Sequence, residues 1–204
     1  MDINIIWDLD DVLNDLNYTV YNELGIADIL ERQTEYSIRK NLESGLFDEQ
    51  IAKNIIDMYS DGELFKRLPT KGNIQSILRV KQMNGLNEHN INVYINTFSL
   101  NKQVEAGKRI WLADNIKNLS DITLIFNTGT PKPKVTNATF VVDDCIDELI
   151  KYGSDTVKII MDMPYNRGID LKLAASAGHK FIRVKSLPEA VQYIEREVAK
   201  LCKS

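Results

Sequence analysis

Ile3-Asn4-Ile5-Ile6-Trp7-Asp8-Leu9-Asp10-Asp11-Val12-Leu13 is the stretch that decides the fold. A short, nearly unbroken apolar run reads as a strand buried on both faces, as the interior of a parallel sheet requires. Three carboxylates, Asp8, Asp10 and Asp11, then follow within four residues. They therefore stand at the carboxyl end of the strand, the edge at which open α/β sheets bind ligands. Acids packed this closely repel one another and cost stability unless a cation or hydrogen bonds compensate.

Working outward, further β-branched runs at residues 91–95, 123–126, 139–142, 157–161 and 181–184 read as strands. Segments of helical length, near 71–83, 100–111, 146–152 and 187–201, lie between and after them. Strands alternating with helices predict an α/β fold, a Rossmann-like, mainly parallel sheet sandwiched by helices. The final helix carries a capping box, Ser186 with Glu189, and an apolar stripe of Ala190, Val191, Ile194, Val198 and Leu201. The alternation breaks once. More than eighty residues separate the first strand from the one at Ile91, far more than a crossover needs. Residues 14–68 are helical in pattern and rich in aromatics, which predicts a small helical cap on a core made of 1–13 and 69–204.

With 204 residues, the chain is long enough for one domain with an insert. Its 44% hydrophobic and 26% charged residues exclude a disordered class. No apolar run approaches a membrane span, and residues after Met1 lack the pattern of a secretory leader, so the expected location is cytoplasmic. Cys145 and Cys202 form no CxxC pair, and His89 and His179 are the only histidines. Neither a disulfide framework nor a multi-histidine metal centre is expected. Net charge is −4 with scattered lysines and arginines, so duplex nucleic acid is not an expected partner. The absence of a GxxxxGK[ST] loop disfavours a P-loop NTPase.

A second acidic pair, Asp143-Asp144, ends the run Phe140-Val141-Val142. Ends of parallel strands on one sheet edge converge, so these acids and those after Trp7 can share one hard cation such as Mg²⁺. Asp144 has an alternative reading as the cap of the helix starting near Ile146. Thr97, with the backbone N–H groups that follow it at Phe98 and Ser99, is placed to hold phosphate oxygens. The loop Asn127-Thr128-Gly129-Thr130-Pro131-Lys132-Pro133-Lys134 offers a lysine, Lys132 or Lys134, to neutralise a phosphate.

The ordered set of strand-Asp8-x-Asp10, strand-Thr97, loop lysine and strand-Asp143-Asp144 resembles the four motifs of the haloacid-dehalogenase-like phosphohydrolases. Glu63-Leu64-Phe65-Lys66-Arg67-Leu68-Pro69, Val93-Tyr94-Ile95-Asn96-Thr97 and Met163-Pro164-Tyr165-Asn166-Arg167 resemble, more narrowly, the 5′(3′)-deoxyribonucleotidase family. That family also carries a helical cap between its first two motifs. The resemblance implies a phosphatase of nucleoside monophosphates. Asp8 would be the nucleophile, Asp10 the acid/base, and Thr97 and a loop lysine the phosphate ligands, the count back from the acidic pair favouring Lys134 over Lys132. Asp8, the Asp10 carbonyl and Asp144, with Asp143 acting through water, would hold Mg²⁺. Tyr18, Tyr36 and Phe47 in the cap, and Tyr165 and Asn166 beyond it, are the candidate substrate contacts.

Two departures stand out. Asp11 replaces the glycine of many relatives, and Cys145 stands where arginine is expected, so base preference does not transfer. Other readings are a phosphatase of another small phosphomonoester or of polynucleotide ends, and a non-catalytic phosphoacceptor or nucleotide-binding module. Oligomeric state is open, with a homodimer compatible.

Overall fold

The computed structural model describes residues 2–83, 89–172 and 178–202. Among them, β1 (Asp2–Trp7), β2 (Asn90–Ser99), β3 (Ile122–Thr128), β4 (Phe140–Asp143), β5 (Val157–Met161) and β6 (Lys180–Val184) form one sheet. Its order is β3-β2-β1-β4-β5-β6, and every neighbouring pair is parallel. The chain is thus a Rossmann-like α/β protein whose strand order reverses at β1, between β2 and β4.

Both sheet faces are covered, and β1 shows why its sequence is apolar throughout. Ile3, Ile5 and Trp7 enter one core with Val93, Ile95, Trp111 and the stripe of the last helix. Ile6 enters a second core on the other face with Val141, Leu149, Tyr152 and Ile160. Burial on two faces removes the alternation that a half-exposed strand would show.

Between β1 and β2 the chain forms α1 (Leu16–Glu23), α2 (Ala27–Arg32), α3 (Ile38–Glu43), α4 (Glu49–Tyr59) and α5 (Gly62–Lys66). The way in and the way out are tied together. Asn14 bridges Thr70 antiparallel, the Asp15 N–H donates to the Pro69 carbonyl at 3.0 Å, and the Lys71 N–H donates to the Leu13 carbonyl at 2.8 Å. The apolar core runs without a break from the sheet into these helices through Leu16, Val20, Tyr21, Ile55 and Phe65.

α5 then seats on α6 (Lys102–Asn115) by contact of backbones. A Cβ on Gly107 would lie 2.1 Å from the Gly62 carbonyl oxygen, and one on Gly62 would lie 2.3 Å from that of Gln103. Only glycine allows such an approach. The Trp111 indole fixes the same junction by donating to the Leu68 carbonyl at 2.7 Å.

The segment expected to be an α-helix near 71–83 is instead a 3₁₀ run, Ile74–Met83. Its apolar residues explain this. Ile74, Ile77, Val80 and Met83 recur every third residue, so a helix of three residues per turn lays them on one line. α7 (Ile146–Leu149) is shorter than expected, whereas α8 (Leu187–Leu201) matches its sequence signals, with the Ser186 side chain accepting from the Glu189 N–H.

Candidate active site

The carboxyl ends of β1, β2 and β4 adjoin in the sheet, so they bring Asp8, Thr97 and Asp143-Asp144 to one edge. The Asp8 N–H donates to the Val142 carbonyl at 2.9 Å, extending the β1–β4 pairing to the first acid. Carboxylate oxygens of Asp8, Asp143 and Asp144 lie within 4.8 Å of one another, and all three residues are buried.

Lys132 reaches this cluster. Its Nζ lies 2.7 Å from Asp143 Oδ2 and 3.2 Å from Asp8 Oδ1. The flanking prolines stiffen the loop, and Asn96 at the end of β2 donates to the Pro133 carbonyl at 3.0 Å, aiming Lys132 inward. This corrects the sequence preference for Lys134, which is exposed in the same loop, two residues beyond. A lysine in this loop is legible from the chain, but which of the two Asn96 turns toward the acids is not.

Electrostatics show what the cluster is suited to hold. Burial pushes the Asp8 carboxyl up to about 7, with repulsion from Asp143 and Asp10 adding to it while Lys132 opposes it. Asp144 is also raised well above the usual carboxylate range, by burial first and then by Asp143, Asp11 and Asp8. Burial alone would lower Lys132, but Asp143 and Asp8 hold its ammonium well above the ordinary value. Three carboxylates face one ammonium, and all their ligand atoms are oxygens, a donor set that fits a hard divalent cation.

Asp10 points to a different partner. Lys108 of α6 donates to the Asp10 carboxylate, to Thr97 Oγ1 at 3.0 Å and to the Phe98 carbonyl. Asn14 also donates to Asp10 Oδ1 at 3.1 Å. Lys108 is 1% exposed and lies 4.9 Å from the centroid of the Phe65 ring. Sequence reading did not single it out. The signal was present all the same, because Lys108 falls on the buried stripe Val104, Gly107, Lys108, Trp111 and Leu112, where a lysine needs an acidic partner.

Asp11 takes a left-handed conformation with φ of 57°, which an aspartate tolerates better than most residues. Its carboxylate accepts the Asn17 N–H at 3.0 Å, pinning the start of α1. Burial pushes the group up to about 7, against the pull of Lys71.

A pocket of about 600 Å³ opens beside Asp10 and Lys108, between the inserted helices and the sheet edge. Tyr36, Tyr59, Phe65 and Phe98 supply its aromatic walls, with Leu16 and Ile56 among its aliphatic ones. Of the aromatic sequence candidates, Tyr36 and Phe98 line this pocket, and Asp10 and Asp144 reach it as well. Phe47 does not. It is 2% exposed and packs edge-on against Tyr21 with centroids 6.2 Å apart, a core role for the insert. Tyr18 is 54% exposed on the surface of α1 and is not part of the lining.

Tyr165 and Asn166 lie on the far side of Tyr36. The Tyr165 hydroxyl donates to Asp144 Oδ2, and its ring meets Tyr36 edge-on at 5.5 Å. Asn166 Nδ2 donates to the Asp144 backbone carbonyl at 2.9 Å. Both residues also line a smaller cavity of about 350 Å³. Among the described residues, no helix is long and apolar enough to cross a membrane.

No protein-family model and no curated protein matches the chain. Among solved structures it is similar to a haloacid dehalogenase-like hydrolase of Streptococcus pneumoniae, with a TM-score of 0.54 over 94% of this chain and 98% of that one. Sequence identity is 14%, so the likeness is one of fold. The chain shares its α/β fold with that protein, and its buried acidic cluster lies at the edge where open α/β sheets bind ligands.

Proposed function

We propose that this protein is a Mg²⁺-dependent phosphomonoesterase that hydrolyses nucleoside monophosphates, deoxynucleotides included, through an aspartyl-phosphate on Asp8. The observation that carries this reading is the convergence of Asp8, Asp10, Thr97, Lys108 and Lys132 at one sheet edge, next to an aromatic pocket of about 600 Å³.

Asp8 attacks phosphorus, forming an acyl-phosphate bond as the bond to the leaving oxygen breaks. Asp10 gives that oxygen a proton, and then takes one from the water that releases phosphate from Asp8. The Lys132 ammonium and the Thr97 hydroxyl hold the transferring group, whose charge spreads over its equatorial oxygens. Lys108 fixes the Asp10 carboxylate beside Thr97. Mg²⁺, held by Asp8, Asp144 and the Asp10 carbonyl with Asp143 beside them, would neutralise phosphoryl charge.

The nucleotide preference rests on the pocket. Its aromatic walls suit a planar base, since stacking is favourable by roughly 1–3 kcal/mol per base in single-strand sites. A second reading, another phosphomonoester with an apolar leaving group, is favoured by the mutual pairing of polar groups there. Tyr59 donates to Asn17, and Tyr21 donates to Gln33 at 3.1 Å, which leaves fewer groups to read a base.

Phosphate release is measured from deoxynucleoside monophosphates, ribonucleotides, sugar phosphates, aryl phosphates and 3′-phosphorylated oligonucleotides, with Mg²⁺ and with excess chelator. Turnover of nucleoside monophosphates only with Mg²⁺ supports the proposal. Full activity in chelator defeats the metal assignment, and preference for aryl phosphates selects the second reading.

A further inference from the structure

We infer that Tyr165 is a positioning residue for the cation: its hydroxyl fixes the carboxylate of Asp144, and Asn166 fixes the backbone behind it. The inference deepens the proposed function and rests on its metal site.

The three acids of the cluster are held differently. Both oxygens of Asp143 are engaged, Oδ1 by the Cys145 N–H at 2.9 Å and Oδ2 by Lys132 at 2.7 Å. Asp8 shares Lys132 through Oδ1. Among the described residues no lysine pairs with Asp144, which is anchored instead by the neutral Tyr165 hydroxyl on Oδ2. A phenol donor restrains the carboxylate without bringing a positive charge beside it. An ammonium in the same place would compete with the metal.

The backbone behind Asp144 is held as well. Asn166 donates to the Asp144 carbonyl at 2.9 Å and to the Met161 carbonyl at 2.7 Å, tying the ends of β4 and β5 together. Arg183 on β6 completes the brace by donating to the Asn166 side chain at 2.5 Å and to its backbone carbonyl at 2.9 Å, while pairing with Asp162 at 3.1 Å. Tyr165 and Asn166 are both buried. The edge contact of Tyr36 keeps the Tyr165 ring in place from the side of the inserted helices.

Donors to a ligating side chain typically matter by 10–100-fold in metal affinity. The test compares wild type with Tyr165→Phe, which removes the hydroxyl and keeps the ring. Mg²⁺ binding to metal-free protein is measured by calorimetry, and KM is measured at saturating Mg²⁺. The expected result is a Mg²⁺ dissociation constant raised 10–100-fold, with KM within about twofold.

A wild-type titration supplies a second readout that needs no folded variant. Mg²⁺ should perturb the near-ultraviolet absorption of a tyrosine, since the acceptor of the Tyr165 hydroxyl changes its charge environment. Unchanged Mg²⁺ affinity in Tyr165→Phe overturns the inference, as does a raised KM with Mg²⁺ affinity intact, and so does a wild-type tyrosine spectrum indifferent to saturating Mg²⁺. Wild-type protein that binds no Mg²⁺ overturns the metal site of the proposed function itself, a result distinct from equal binding by the two proteins.

Discussion

Lys108 on α6 is bonded to the carboxylate of Asp10, a residue 98 positions earlier in the chain, and the same ammonium touches the Thr97 hydroxyl at 3.0 Å. One buried cation thus joins the loop after β1 to the end of β2. Asp10 and Thr97, the two groups the proposed reaction sets on one phosphoryl unit, are held together by a side chain from α6 rather than by the sheet.

Removing that cation should cost activity more than stability. Methionine at position 108 would suit the apolar stripe of α6, so Lys108→Met should remain folded by circular dichroism. Its kcat/KM should fall by roughly 10²-fold or more, the scale seen when one preorganised donor is deleted from a reacting site. Wild-type kinetics in Lys108→Met would show that Asp10 needs no such partner.

Metal-free protein should lose stability as pH rises. Asp8 and Asp11 have folded-state values near 7 against an ordinary 3.8, so between these limits the folded state binds more protons than the unfolded one. By linkage, stability then falls with pH. The penalty is absent below about pH 4, grows as each group ionises through its folded value, and levels off above it. In chelator, melting temperature should therefore drop from pH 5 to pH 8, at roughly 2–4 °C per kcal/mol for a chain of this size. Mg²⁺ should restore much of the loss at pH 8, and Asp8→Asn should flatten the profile while abolishing turnover. A melting temperature that climbs from pH 5 to pH 8 in chelator would contradict the assignment.

Gly107 tests how tightly the insert is seated. The Cβ of Gly107→Ala would lie 2.1 Å from the Gly62 carbonyl oxygen, so α5 and α6 must separate. Overpacking of this kind costs about 1–3 kcal/mol. Because Lys108 is the next residue on α6, the displacement should also lower kcat, so melting and kinetics should change together. Gly168, where an added Cβ meets nothing within 4 Å, serves as the control position.

How much of this was legible in the sequence depended on whether neighbours in the chain or neighbours in space decide a residue's role. The strand before Asp8 and the strand before Asp143 could be read directly, because burial on both faces demands unbroken apolar runs. The parallel order then brings their ends together. The stripe of α8 was legible for a similar reason, since a helix repeats its buried face every three to four residues. Lys108 was harder, because a lysine on an apolar stripe has meaning only once Asp10 is seen opposite it. Phe47 and Tyr36 have similar local composition, yet Tyr21 draws the first into the core while the second stays at the pocket wall. Tyr165 stands just beyond β5, and nothing local reveals that its hydroxyl meets an acid at the end of β4.

The loop lysines give the sharpest separation of neighbouring residues. Lys132 and Lys134 sit two positions apart around Pro133, and Asn96 grips the carbonyl of that proline at 3.0 Å. Lys132 is thereby turned to Asp8 and Asp143, whereas Lys134 stays exposed. Lys132→Ala should lower kcat/KM on the order of 10²- to 10³-fold through loss of the ammonium that neutralises the transferring phosphoryl group. Lys134→Ala should leave kinetics within about twofold of wild type, as surface substitutions commonly do. Asn96→Ala is the decisive companion, because it touches neither substrate nor acids. If Asn96 aims the loop, its variant should lose part of what Lys132→Ala loses, and the double variant should be no worse than Lys132→Ala alone. Additive losses in the double variant would show that Asn96 acts independently of Lys132, and a larger loss for Lys134→Ala than for Lys132→Ala would return the role to the outer lysine.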